Sequence, residues 1–150
     1  MATIKYLLIA AIFSTLIISC KKEDEGDSCS TCPVGGPSEP AGFRFTKNNG
    51  ATIEADSTFF FPATKIIIAY YQGMTNRIII KTSAQTAGTY NVNGASNTVT
   101  YIEPLGSYNA TSGSIIITAN ANNKISGNFT SSGGGIASTI GAQFKDIPKK

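Results

Sequence analysis

Histidine is absent from the 150 residues, and with it go the commonest base near neutral pH, the Ser-His-Asp and Cys-His nucleophile systems and every histidine metal site. Charge is scarce too. Asp, Glu, Lys and Arg make up 14% of the chain, without the concentrated basic stripe of a nucleic-acid binder. Cysteine occurs three times, at Cys20, Cys29 and Cys32, too few for a four-cysteine zinc site. Beyond residue 42 the only carboxylates are Glu54, Asp56, Glu103 and Asp146, and no helix-length stretch there has an apolar period of 3.6. No contiguous calcium loop is present, and the Gly133–Gly135 run lacks the lysine and the strand–loop–helix setting of a phosphate cradle.

The chain opens with Lys5 and then an apolar stretch over residues 6–18 that ends at Ser19 and Cys20. Thirteen residues as a helix cover about 20 Å, short of the roughly 30 Å hydrocarbon core, so an export signal over 1–19 is expected rather than a permanent span. Leu16-Ile17-Ile18-Ser19-Cys20 resembles the lipobox of bacterial lipoprotein precursors, with Ile18 and Ser19 in place of the commonest small pair. The resemblance implies cleavage between Ser19 and Cys20, diacylglycerol on the Cys20 sulfur and an acylated amino group. Two or three acyl chains anchor durably where one does not. Lys21-Lys22-Glu23-Asp24-Glu25 looks like the lysine-plus-acids pattern behind the lipidated cysteine in surface-exported lipoproteins of Bacteroidota. That likeness implies the outer membrane, with exposure at the cell surface.

Residues 20–42 read as the lipidated cysteine followed by a spacer rich in Gly, Pro and Ser. Between residues 21 and 40 two lysines stand against five acids, whereas residues 41–150 hold nine basic and four acidic side chains. This mild excess allows a weak attraction to anionic polymers or lipid headgroups. The spacer holds Cys29-Ser-Thr-Cys32 before a proline and two glycines. A redox pair needs such a motif at a helix start after a strand, and a metal site needs further ligands. A local disulfide between Cys29 and Cys32 is the expectation outside the cytoplasm, against a redox role or a shared metal site.

From Phe43 to Lys150 short β-like runs alternate with turn residues. Lys65–Tyr71 and Asn76–Thr82 flank Gln72–Thr75 as the clearest hairpin, and Gly113–Ala119 and Lys124–Thr130 flank Asn120–Asn123 as a second. Their triple isoleucines fit strands covered on both faces, or one packed face and one carrying β-branched residues. Val99 and Tyr101 share a face, as do Ile125 and Phe129 across Gly127, and Ile140, Ala142 and Phe144. Lys47–Gly50 supplies a reversal through its Asn-Gly pair, and Ser131–Gly135 reads as a flexible connection. The fold expected is all-β: an antiparallel β-sandwich or partly closed β-barrel of about eight or nine strands.

Gly88-Thr-Tyr90, Thr111–Thr118 and Ile125–Phe129 together resemble a group of small lipoproteins of Bacteroidota classed as domains of unknown function, over about residues 45–147. The resemblance implies a fold and a membrane address and carries no site residues.

The aromatic residues Tyr70, Tyr71, Tyr90, Tyr101 and Tyr108 fit packing at sheet faces or, alternatively, platforms for a sugar or protein partner. Asp56-Ser57-Thr58 resembles the short O-glycosylation acceptor pattern of Bacteroidota, which implies Ser57 as the acceptor. Glu54 and Asp56 could share a strand face, the minimum equipment of a glycosidase. The expectation is a lipid-anchored, non-catalytic binding or structural module with no cofactor or metal and no nucleic-acid partner. Its partners would be membrane lipid and a glycan or surface protein, and the alternative is a glycan-directed accessory or hydrolase-like protein.

Overall fold

The computed structural model describes residues 40–150; the calls on Ser19, Cys20, Cys29 and Cys32 lie outside the described residues. Ten strands follow in order: β1 (Gly42–Lys47), β2 (Thr52–Glu54), β3 (Ser57–Phe61), β4 (Ile66–Tyr71), β5 (Asn76–Lys81), β6 (Gly88–Asn91), β7 (Thr98–Glu103), β8 (Gly106–Ala121), β9 (Lys124–Gly135) and β10 (Thr139–Pro148). Nine form one antiparallel path, β2-β1-β10-β9-β8-β7-β5-β4-β3, and β6 pairs with β8 beside it. The sheet curls until its two ends become halves of one segment. The Ala55 amide still bonds Phe43 on the β1 side at 2.9 Å, and the next amide, Asp56, bonds Tyr70 on β4 at 2.8 Å. The Lys150 amide reaches Phe60 at 2.8 Å, where Phe60 and Lys149 form a parallel bridge. The result is a partly closed barrel.

Two-residue turns explain the sharpest reversals. Asn122 and Asn123 both hold positive φ between paired Ala121 and Lys124, and asparagine tolerates this left-handed conformation best after glycine. At the first hairpin the positive φ angles fall on Asn48 and Asn49, one residue before the Asn-Gly pair marked by the sequence. Curling comes from the long strands. β8 slips register against β9 between Ala110 and Ser112 and again between Ile117 and Ala119, and β10 slips between Phe144 and Ile147. Each bulge bends its strand.

Ser131–Gly135 is no flexible connection: it is the end of β9, paired with β8 as far as Gly135 opposite Tyr108. Two of its glycines, Gly133 and Gly135, serve close approach. A Cβ on Gly133 would lie 2.1 Å from the Asn109 carbonyl oxygen. The same holds for Gly127, which leaves room for the Phe144 ring at 2.7 Å from such a Cβ.

The strands that carry the core alternate, β4, β5 and β7 most regularly. Of the triple isoleucines, Ile67, Ile78 and Ile80 are buried, while Ile66, Ile68 and Ile79 take the outer face. The interior is filled by Phe43, Phe45, Phe129 and Phe144 with Ile115, Ile117, Ile125 and Ile147. Phe43 stacks on Phe144 at 6.2 Å, and each such fully buried side chain contributes about 1.5–3 kcal/mol.

Candidate functional site

The alternation that fills the barrel leaves a polar outer face. On β2, β1, β10 and β9 the register aligns two rows, Thr52–Thr46–Gly141–Thr130 and Glu54–Arg44–Gln143–Asn128. Gly141 has no side chain to stand among its neighbours, so the face sinks there into an open groove of about 440 Å³. Hydroxyls of Thr46, Thr52 and Thr130 and amides of Asn128 and Gln143 line it. Arg44 closes one side, its Nε donating to Glu54 Oε1 at 2.8 Å. Such a surface offers hydrogen bonds to a polyhydroxyl ligand, and Gly141 lets that ligand approach the backbone.

A second constellation sits at the barrel end formed by the β4–β5 and β7–β8 turns. The Lys47 ammonium at the end of β1 lies 3.2 Å from Glu103 Oε2, at the end of β7, and 5.2 Å from the Tyr101 ring centre. Tyr101 donates to Glu103 Oε1, and Tyr71 approaches the same oxygen at 3.1 Å. The two phenol oxygens also touch, their rings stacking at 5.8 Å with Phe45 set edge-on to Tyr71. Burial drives the Tyr71 and Tyr101 hydroxyls upward, aided by the neighbouring Glu103 charge, Tyr101 to about 12 and Tyr71 further. Burial also raises the Glu103 carboxyl, but hydrogen bonds from Tyr101, Lys47 and Tyr71 and the Lys47 charge outweigh it, so its net shift is downward.

A carboxyl held below its ordinary value contributes stability that is present above about pH 4.5 and is lost as pH falls through the folded-state value. The melting temperature of the unaltered protein is therefore expected to fall more steeply between about pH 5 and 3 than that of Glu103→Gln. Parallel melting curves would contradict the carboxylate's role.

The four carboxylates among the described residues stand apart. Glu54 is tied to Arg44, Glu103 to Lys47 and the tyrosines, and Asp56 accepts the Gly73 amide at 3.0 Å over the β4–β5 turn. Asp146 sits in the β10 bulge beside Ser126. Glu54 and Asp56 fall on either side of the switch from β1 pairing to β4 pairing, so they face different neighbours. Among the described residues no group of three or more acidic, cysteine or histidine side chains could hold a metal ion.

The tyrosines divide. Tyr71, Tyr101 and Tyr108 are buried and present no ring to a surface ligand, a correction imposed by the inward phase of their strands. Tyr108 instead donates to Ser131 Oγ at 3.0 Å. Tyr70 and Tyr90 are half-buried, and the Tyr90 hydroxyl is occupied by the Thr86 carbonyl at 2.6 Å. Ser57 opens β3 on its outer side opposite Tyr70, half-buried. Among the described residues the aromatics at the Gly141 groove are Phe45 and Phe129, whose rings belong to the core.

Neither the groove nor the Lys47–Glu103 pair stands out in the sequence. Arg44 and Thr46, Asn128 and Thr130, and Gly141 and Gln143 are each the outward positions of an alternating run, but their adjacency depends on strand order. Compared with family models, curated proteins and solved structures, the chain matches none.

Proposed function

We propose that the chain is a non-catalytic binding module, held at the outer membrane through lipid on Cys20 and placed at the cell surface, with the Gly141 groove as its ligand face. The carrying observation is the groove itself: hydroxyls and amides from four strands converge on a depression floored by a glycine. Separate engagement of the Glu54, Asp56 and Glu103 carboxylates, with Asp146 apart from them in the β10 bulge, also favours binding over hydrolysis. The lipobox resemblance of residues 16–20 and the acidic stretch behind Cys20 support the address. A neutral glycan suits the groove best, since such ligands are recognised by amides and hydroxyls.

A glycan array probed with the detergent-extracted protein tests this, with Gly141→Phe as the blocked form. A Cβ at Gly141 meets only ordinary contacts, Thr46 Oγ1 at 3.6 Å being the nearest, so this variant is expected to fold normally. Binding by the unaltered protein and its loss in Gly141→Phe is the expected result. Uniform silence on the array would remove the glycan reading.

A further inference from the structure

The cations of the barrel are unevenly placed. Pro40 leads into β1 at one end, and Gly42 pairs with Lys145 there. Around that same end stand five more lysines. Lys124 begins β9 opposite Pro148, and the Lys149 amide bonds the Asn123 carbonyl at 3.0 Å. Lys150 follows, its ammonium 3.8 Å from the centre of the Phe59 ring. On the other side Lys65 caps Ser83 at 2.7 Å, and Lys81 closes β5 opposite Ile66. Asp146 is the acidic side chain among them. Glu103 lies at the opposite end, with the β7–β8 turn, and Asp56, one residue past the Ala55–Phe43 bond, is tied to the Gly73 amide of the β4–β5 turn.

We infer that this lysine-rich end seats the barrel on a phosphate-bearing lipid surface, so that the domain stands end-on with the Gly141 groove along its side. Two independent facts carry this. The positive charge is concentrated on one end, and the chain preceding residue 40, which includes Cys20, joins the barrel at that same end. Lys81, Lys124 and Lys150 are exposed, and lysine stems allow their ammonium groups to reach across a headgroup layer. A chain anchored through Cys20 keeps this end within reach of headgroups, where even weak attraction acts at high local concentration. The placement rests on the lipid-anchor reading for its setting in the cell, but the charge recognition itself does not need the anchor.

The test therefore uses the chain from residue 20 onward with Cys20→Ser, free of acyl groups. It is sedimented with vesicles of phosphatidylcholine alone or mixed with phosphatidylglycerol. Binding only to the anionic vesicles, weakening with salt, is expected. Lys81→Gln, Lys124→Gln and Lys149→Gln should each lower the partition coefficient about fivefold, and together about a hundredfold. An unchanged melting temperature shows that the variants fold.

Equal partition to both vesicle types, or binding indifferent to the lysine changes, would overturn the proposal. So would binding lost in Leu105→Ser, because Leu105 is 94% exposed at the far end and its insertion would invert the orientation. Vesicle binding that appears only after Glu23, Asp24, Glu25 and Asp27 are neutralised would assign the lysines to the chain's own acidic stretch instead. Mass measurement of the membrane-extracted full chain tests the anchor separately. An unmodified Met1 terminus would remove the anchor while leaving the vesicle result standing.

Discussion

Replacing Gly113 by valine is expected to destabilise the barrel by about 3 kcal/mol or more, enough to leave a domain of ordinary stability largely unfolded at elevated temperature. Gly113 holds φ +131°, a region that a β-branched residue rarely enters. Space is as restrictive as conformation. A Cβ there would stand 2.1 Å from the Thr130 carbonyl oxygen and 2.7 Å from the Ser131 Cα, both backbone atoms that cannot rotate aside. Relief requires separating β8 from β9, the longest pairing in the sheet. The strain of the backbone and the overlap of the atoms each cost about 1–3 kcal/mol. Thermal unfolding followed by circular dichroism checks this, with Gly134→Ala as control. Gly134 lies in β9, the facing arm of the same hairpin, yet nothing approaches its absent Cβ within 4 Å. Similar melting temperatures for Gly113→Val and the unaltered protein would refute the close-approach account.

The glycines also mark the boundary between what alternation reveals and what it conceals. Lys65–Tyr71 and Asn76–Thr82 are legible as a hairpin because β-branched residues and a short polar connection are local signals, and β4 and β5 pair as read. The inward phase of Val99 with Tyr101, and of Ile140 with Ala142 and Phe144, follows from the same period of two. Ser131–Gly135 misleads because glycine and serine disfavour strands by propensity, whereas tertiary approach of β8 demands residues without bulk there. The eight or nine strands expected agree with the nine of the main path, and the Gly88–Val92 run is β6, which pairs with β8 beside that path.

Functional geometry is harder to read than the fold because it depends on register between distant segments. Lys47 and Glu103 are 56 residues apart, and each looks like an ordinary solvated strand end until β1 and β7 are brought to one mouth of the barrel. Gly141 reads as a gap in a strand rather than as the floor of a groove, since Thr46 and Thr130 reach its sides only through the β1–β10 and β10–β9 pairings. The tyrosines fail in the opposite direction. Their chemistry fits a ligand platform, but strand phase turns Tyr71, Tyr101 and Tyr108 inward, and only position in the sheet decides which use prevails.

That inward turn makes alkaline unfolding the second large effect. Tyr101 is pushed up to about 12 from an ordinary 10.0, first by burial and then by its bond to Glu103, while its contact with Tyr71 pulls the other way. The folded protein therefore keeps a proton that the unfolded chain releases above pH 10, and its stability falls as pH rises. A hundredfold difference in acidity corresponds to about 3 kcal/mol lost between about pH 10 and 12 from Tyr101 alone. Tyr71, raised by the same burial, adds loss of the same sign, and so does Tyr108, whose burial outweighs its bond to Ser131. Tyrosinate absorbance near 295 nm is expected to show these three residues silent until unfolding, then ionising together in a cooperative step. Tyr101→Phe should flatten the fall of the denaturation midpoint across that range while leaving Lys47 bound to Glu103. Independent ionisation of Tyr71, Tyr101 and Tyr108 near pH 10 in a protein that remains folded would contradict their burial. Because the Tyr71 and Tyr101 hydroxyls gather on Glu103, that result would also dissolve the constellation at the barrel mouth.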